Sequence, residues 1–230
     1  EAATRAPGAS LSAQGSVSTT QARLTLDGPL GAAGMGYLVS LRSGLPGVVA
    51  PRNEASYLRG ETGDGMAKLE TPAFGGRARL LAYDSDNEIN TAAAASAEDG
   101  SSQASRLNVF EWHSRSLGAE WRRDFSAGAV RVLGWSAVGD ASALWAAQTG
   151  QVALTSARRD EGLFTTAEFR STRASTTAGL HVERSTTSYR VESDSAAGAL
   201  WGLSARTPVA TLFAQHARRI GRRIDLKLGT

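Results

Sequence analysis

Three acidic residues at alternate positions, Asp84, Asp86 and Glu88, could bind a cation. Hard cations such as Ca²⁺ are held by several carboxylate and amide oxygens at once, and Asn87 adds an amide oxygen here. The glycine and the distal glutamate of an EF-hand loop do not occur at the required spacing. We therefore favour a solvated stretch at the end of a strand, with a calcium site at Asp84, Asp86 and Glu88 as the less favoured prediction.

The three histidines, His113, His181 and His216, could in principle converge on a zinc ion. Each lies among other polar residues in an alternating pattern. This context favours polar positions on the inside or at the rim of a β-structure. No metal site is predicted from them.

Catalytic motifs are missing from the sequence. There is no Gly-x-Ser-x-Gly, no His-Glu-x-x-His and no cysteine. Gly60 and Gly65 have phosphate-loop spacing, but Met66 follows where that loop has a lysine. We expect no catalytic residue, no cofactor-binding residue and no cofactor, and the chain is predicted not to be an enzyme.

The charges of the chain are balanced and mixed. The 25 basic and 22 acidic residues give a formal net charge of +3, and no long block of like charges occurs. Nucleic-acid binding would need basic residues gathered on one face, so no nucleic-acid partner is predicted.

The elements that would position these residues are strands. Apolar and polar residues alternate in many segments, as where Ile224, Leu226 and Leu228 alternate with Arg223, Asp225 and Lys227. No apolar run approaches the roughly 18–20 residues of a membrane helix. The pattern predicts about ten antiparallel strands: 11–27, 34–45, 58–70, 77–89, 106–124, 129–140, 153–171, 176–191, 207–219 and 222–230.

The breaks between these strands alternate in length. Short turn signals occur at 28–31, 72–76, 126–128, 172–175 and 220–221, and longer polar stretches occur at 45–58, 90–105, 140–151 and 194–207. In an up-and-down meander, this order places tight turns at one end and long loops at the other, as in outer-membrane barrels.

Arginine and tryptophan positions add two expectations. Arginines on a lipid-facing surface of a barrel would be costly, so we expect them on the inner wall or at turn ends: Arg77, Arg79, Arg115, Arg131, Arg184, Arg218 and Arg223. Trp121 is predicted near a short turn, and Trp112 and Trp135 within strands. Trp145 and Trp201 are predicted in long loops.

Three segments resemble the barrel of TonB-dependent receptors. The first is 23–31 with its Asp-Gly-Pro-Leu turn, followed by 37–42. The second is the strand–turn–strand pattern of 57–83. The third, 212–229, is similar to the family's Phe-x-Gln-Asp-x-Trp hairpin, with His216 in place of the usual Asp and Arg218 in place of Trp.

The resemblance implies a transport function. It implies an all-β, antiparallel up-and-down meander that forms part of a transmembrane β-barrel in the outer membrane of a Gram-negative bacterium. Residues 1–230 would form one partial barrel domain, continuing beyond Thr230, without the family's plug. The implied partners are the lipid bilayer, an unknown small ligand and, through the plug, the TonB system. The ligand-binding residues cannot be assigned. The alternative is a soluble or secreted β-rich adhesion or carbohydrate-binding module.

Overall fold

The computed structural model of the chain describes residues 5–31, 34–44, 56–93, 107–147, 150–193, 199–220 and 224–229. These residues form one antiparallel sheet of eleven strands, and its strand order is the chain order. The predicted all-β up-and-down meander is confirmed. Across the described ranges, no helix is long and apolar enough to cross a bilayer.

Most strands are long. Their bounds are β1 Ser12–Val17, β2 Gln21–Pro29, β3 Gly36–Gly44, β4 Ser56–Ala73, β5 Gly76–Ala93, β6 Leu107–Phe125, β7 Gly128–Ala147, β8 Gly150–Arg170, β9 Ala174–Ser193, β10 Ala199–Ile220 and β11 Ile224–Gly229. The described pairings join each strand to its neighbours in sequence, and they do not join β11 back to β1.

The strand predicted at 11–27 is wrong, because this segment is the hairpin of β1 and β2. The Ser18 hydroxyl accepts hydrogen bonds from the backbone N–H groups of Thr20 and Gln21, at 3.3 and 3.1 Å. A serine can close a turn in this way without glycine or proline, so the sequence shows no obvious break there.

Two of the predicted long loops are also wrong. β7 continues to Ala147 and β8 begins at Gly150, so most of 140–151 is strand and Trp145 lies within β7. β10 begins at Ala199, which places Trp201 in a strand as well. The small residues of these segments suggested loops, yet they pair in regular ladders. Of the other two predicted loops, 45–55 and 94–106 lie outside the described residues.

The short turns after β4, β6 and β8 lie at one end of the sheet, which we call the turn end, whereas the Ser18 turn between β1 and β2 lies at the opposite end. Phe74 and Gly75 join β4 to β5 with φ of 51° and 71°, the left-handed values of a two-residue hairpin turn. Between β8 and β9, the Ser171 hydroxyl accepts a hydrogen bond from the Ala174 N–H at 3.0 Å. Near the first predicted turn, Pro29 still belongs to β2. We call the opposite end of the sheet the loop end.

The two faces of the sheet differ in exposure. Directly paired residues share a face, as do alternate residues of one strand, so the register assigns every strand residue to a face. One face carries every buried side chain of the described residues, and we call it the inner face. We call the opposite face the outer face. The buried residues other than glycine are Thr25, Asp27, Leu38, Ser40, Lys68, Glu70, Ser85 and Ala129. Only Leu38 and Ala129 among them are apolar.

Large apolar side chains near the turn end of the outer face are exposed. Leu80 is 49% exposed, Leu117 60% and Leu212 79%. They belong to an uncharged strip of the outer face across β4–β10, which we call the apolar band and define by Leu69, Leu80, Leu117, Val132, Leu163, Val182 and Leu212. The sheet therefore has a polar inner face and an apolar outer face at this end, the reverse of a water-soluble sheet with one covered face.

Candidate functional site

A network of ion pairs crosses the inner face of β4–β7 near the turn end. Glu70, which is 2% exposed, lies 2.8 Å from Lys68 Nζ and 3.0 Å from Arg79 Nε. Arg79 also reaches Glu120 at 3.5 Å, and Glu120 pairs with Arg131 at 3.3 Å. A buried charge is tolerated when partners of opposite sign surround it, and each of these carboxylates has at least two.

The segment before β1 lies against the same face. Asp27, 2% exposed, pairs with Arg5 and accepts a hydrogen bond from the Gly8 N–H at 2.8 Å. Lys68 donates a hydrogen bond to the Arg5 carbonyl at 2.8 Å. A side chain at Gly36 would meet the Pro7 ring at 2.8 Å, so the segment packs directly on β3. The burial of Asp27 and Lys68 therefore depends partly on residues 5–8.

The predicted arginine positions are correct in part. Arg77, Arg79 and Arg131 belong to the inner face, as expected. Arg115 and Arg184 belong to the outer face on the loop side of the apolar band, so the prediction is wrong for these two. The strands are longer than predicted and continue beyond the band. Arg218 lies on the outer face toward the turn end, and Arg223 lies outside the described residues.

Four rings form a ladder across the inner face of β7–β10. Trp135 stacks on His181 with 5.6 Å between ring centroids, and Phe164 stacks on Phe213 at 5.9 Å. Phe164 also meets His181 edge-on at 6.1 Å. A methyl group at Gly179 would lie 2.4 Å from the Phe213 ring, so the absence of a side chain there gives the ring its place. The ladder continues the level of the ion network across β7–β10, since Phe164 and His181 share the register row of Glu120.

The candidate binding site is a cleft of about 970 Å³ toward the loop end of β5–β10. It runs along one register row, which is a line of residues paired directly from strand to strand. Three adjacent rows line it: the central row carries the inner-face side chains Asn87, Trp112, Ala141, Ser156, Tyr189 and Leu203, whereas the side chains of the two flanking rows, Asp86 and Glu88 among them, belong to the outer face. Trp112 and Tyr189 are 37% and 41% exposed. Small residues on β7 and β8 separate these two rings.

The arrangement suits a ligand that combines flat or apolar surface with polar groups. Trp112 and Tyr189 stand three strands apart, about 14 Å at the usual strand spacing. Ala141 and Ser156 leave room between them, and exposed rings provide stacking surface. Phe110 and Trp201, 39% and 51% exposed, extend the aromatic surface of the inner face toward the loop end.

The predicted calcium candidates lie on the outer face of β5. Asp84 Oδ1 lies 2.9 Å from Arg115 Nε and 3.2 Å from His113 Nε2, so its charge is already paired. Asp86 and Glu88 line the cleft. The described residues contain no group of three or more His, Asp or Glu side chains that could hold a metal ion.

The three histidines do not converge. His113 and His216 lie on the outer face, on β6 and β10, and His216 Nδ1 is 2.8 Å from the Thr176 hydroxyl. His181 lies on the inner face within the ring ladder, 3.2 Å from Glu183.

Sequence reasoning missed the cleft. Its row brings together residues of six strands that are far apart in sequence, and only the register aligns them. Ala141 fell in a segment predicted to be a loop, as did Leu203, which removed two strands from the row. Trp112, placed in a strand by its alternating neighbours, was the one available signal.

No family model matches this chain, and no curated protein matches it. Its function therefore has to be inferred from the two faces of the sheet, the ion network and the cleft.

Proposed function

We propose that the chain forms part of the wall of a transmembrane β-barrel in a bacterial outer membrane, and that this barrel is a receptor for uptake of a small ligand. The barrel would be of the TonB-dependent type, with the outer face on lipid and the inner face on the lumen. The role is transport, without bond chemistry by the strands.

The observation that carries the proposal is the reversed polarity of the two faces. Within one stretch of β5, Arg79 and Leu80 follow each other, with the charge on the inner face and the exposed leucine on the outer one. Outer-membrane barrels alternate in this way, apolar side out and polar side in. Exposed apolar surface of this extent is unfavourable in water, which argues against the soluble module.

On two strands the length of the uncharged outer face supports the same proposal. The outer face of β7 has no charged residue from Gly128 to Val138, and that of β4 has none from Gly63 to Ala73. Each span measures about 33 Å along the strand at roughly 3.3 Å per residue. A strand tilt of about 40° reduces this to about 25 Å, the usual height of the apolar band of a membrane barrel.

The ligand-binding part of the proposal rests on the inner-face side chains of the central row of the cleft. Trp112 and Tyr189 expose their rings on the inner face, where a ligand entering the lumen from the loop end would meet them. Pockets that combine aromatic walls with a few polar groups are typical of small-molecule sites. The TonB system, as energy source, comes from the family resemblance alone.

Cell fractionation and gel mobility test the proposal. The protein is expected to fractionate with outer membranes, to need detergent for extraction, and to migrate differently in SDS before and after heating. Extraction by high salt without detergent, with no mobility shift on heating, would contradict a membrane barrel.

A further inference from the structure

Three arginines lie close together on the outer face of β8, β9 and β10. Arg159 pairs in register with Thr186, and Thr186 pairs with Arg206. Arg184 lies two residues from Thr186 along β9, in the direction of the apolar band. Diagonal neighbours in an antiparallel sheet are about 7–8 Å apart, so the three long side chains can reach a common point.

The cluster carries excess positive charge. Glu161 pairs with both Arg159, at 2.5 Å, and Arg184. Arg206 is exposed and forms no ion pair with a carboxylate of the described residues. Three guanidinium groups against Glu161 and Asp140, the diagonal outer-face neighbour of Arg159 on β7, leave a net charge of about +1, and the Arg159 and Arg184 side chains are 62% and 49% exposed. The cluster can therefore accept an anion from outside.

The position of the cluster indicates which anion. Toward the turn end, its next outer-face neighbours are Leu163, Val182 and Pro208, of which Leu163 and Val182 are 42% and 41% exposed. An anion bound here has an uncharged, apolar surface directly beside it. Phosphate and acyl chain are joined in this order in a phospholipid, and arginine is well suited to phosphate because its planar fork donates paired hydrogen bonds.

We propose that Arg159, Arg184 and Arg206 bind the phosphate of an anionic lipid headgroup whose acyl chains lie along the apolar band. The inference rests on the proposed function, since only a lipid-facing outer surface brings headgroups to this level. A soluble phosphate compound would have no use for the adjoining apolar surface.

The test uses the full chain folded in dodecyl maltoside micelles and titrated with phosphatidylglycerol that carries a fluorescent acyl chain. Replacing any one arginine by glutamine is expected to weaken binding about fivefold, the usual contribution of one basic residue at a charged membrane surface. The variant with all three replacements should bind labelled phosphatidylglycerol no better than it binds labelled phosphatidylcholine. Arg206→Lys should recover only part of the affinity, because lysine keeps the charge but not the paired hydrogen bonds.

The matched control is Arg158→Gln, which removes an arginine of similar exposure from the inner face, where it pairs with Asp160 at 2.8 Å. It should bind like the unmodified chain. Equal losses in Arg158→Gln and Arg206→Gln, or no loss in the triple variant, would overturn the inference. Full displacement of the labelled lipid by an equal concentration of inorganic phosphate would overturn the choice of a lipid.

The same samples separate the two proposals. If the chain inserts into phosphatidylcholine vesicles but the arginine variants bind phosphatidylglycerol normally, the lipid site is contradicted. The proposal of a barrel wall is unaffected by that result. A chain that enters neither micelles nor vesicles contradicts both.

Discussion

Arg79 and Leu80 are consecutive residues of β5 with opposite surroundings. Arg79 Nε lies 3.0 Å from Oε1 of the buried Glu70, whereas the Leu80 side chain is 49% exposed on the other face. A sheet that covers one face in water would place the leucine inside and the arginine outside. This reversal recurs along the turn end of the sheet, and the predictions below depend on it.

The adjacent residues Val132 and Leu133 of β7 allow a matched comparison of the two faces. Val132 lies in the apolar band, and Leu133 lies on the inner face opposite Glu120. Val132→Arg should destabilise the membrane-inserted state by about 2–4 kcal/mol, the cost of an arginine at the bilayer midplane. Leu133→Arg should cost less, because the inner face around it already carries charged side chains such as Glu120 and Arg131 and would not contact lipid. Urea unfolding in phosphatidylcholine vesicles measures both, and a larger loss for Leu133→Arg would contradict the assignment of the faces.

Glu70 is expected to be essential to the ion network. Glu70→Gln leaves Lys68, 5% exposed, without its closest counter-charge. Breaking one side of a buried ion pair costs about 3–5 kcal/mol. The control is Glu192→Gln, whose pair with Arg190 lies on an exposed surface and should matter little. Equal unfolding midpoints for the two variants would show that the network contributes no stability.

Gly179 is expected to tolerate no side chain. A Cβ there would lie 2.4 Å from the Phe213 ring and 2.5 Å from the Thr165 carbonyl oxygen, which belongs to the backbone of β8. Gly179→Ala should therefore destabilise the sheet by about 1–3 kcal/mol. Gly118→Ala is the control, since its nearest neighbour would be 3.8 Å away. Tryptophan fluorescence during urea unfolding reports both, and an unchanged midpoint for Gly179→Ala would contradict the packing described for the ring ladder.

Trp112 is expected to supply most of the stacking surface of the cleft. A small-molecule collection can be screened by quenching of tryptophan emission in the full chain. Hits that use the cleft should lose at least about tenfold in affinity in Trp112→Ala, as buried aromatic anchors commonly do. Trp121→Ala is the control, because Trp121 lies on the outer face with its Nε1 donating to the Ala73 carbonyl at 3.0 Å. Hits lost equally in both variants would place the ligand elsewhere.

The strand pattern could be predicted because it is local. The alternation around Val130 and Val132, and the turn signal at Phe74–Gly75, identify a hairpin without knowledge of its partners. The Ser18 turn could not be found in this way, because its only mark is a serine hydroxyl that closes the backbone. Ala141–Ala147 resembled a loop in composition, and its place in β7 depends on pairing with β8.

The site could not be predicted because it depends on register. Trp112 and Tyr189 are separated by 76 further residues, and they share a row only because three successive strand pairings each hold their alignment. A shift of one residue in any of these pairings would move one of the rings to the outer face. The arginine cluster has the same dependence, since Arg159 and Arg206 meet across β9.

The central claim, that the outer face contacts lipid, can be measured directly because the chain contains no cysteine. Single substitutions Leu80→Cys and Leu163→Cys on the outer face, and Leu81→Cys and Phe164→Cys on the inner face, each receive a nitroxide label in phosphatidylcholine vesicles. The outer-face labels should collide readily with oxygen, which concentrates in lipid, and poorly with a water-soluble nickel chelate. The inner-face labels should show the opposite preference, and nickel accessibility that is equal at all four sites would contradict the membrane-barrel account.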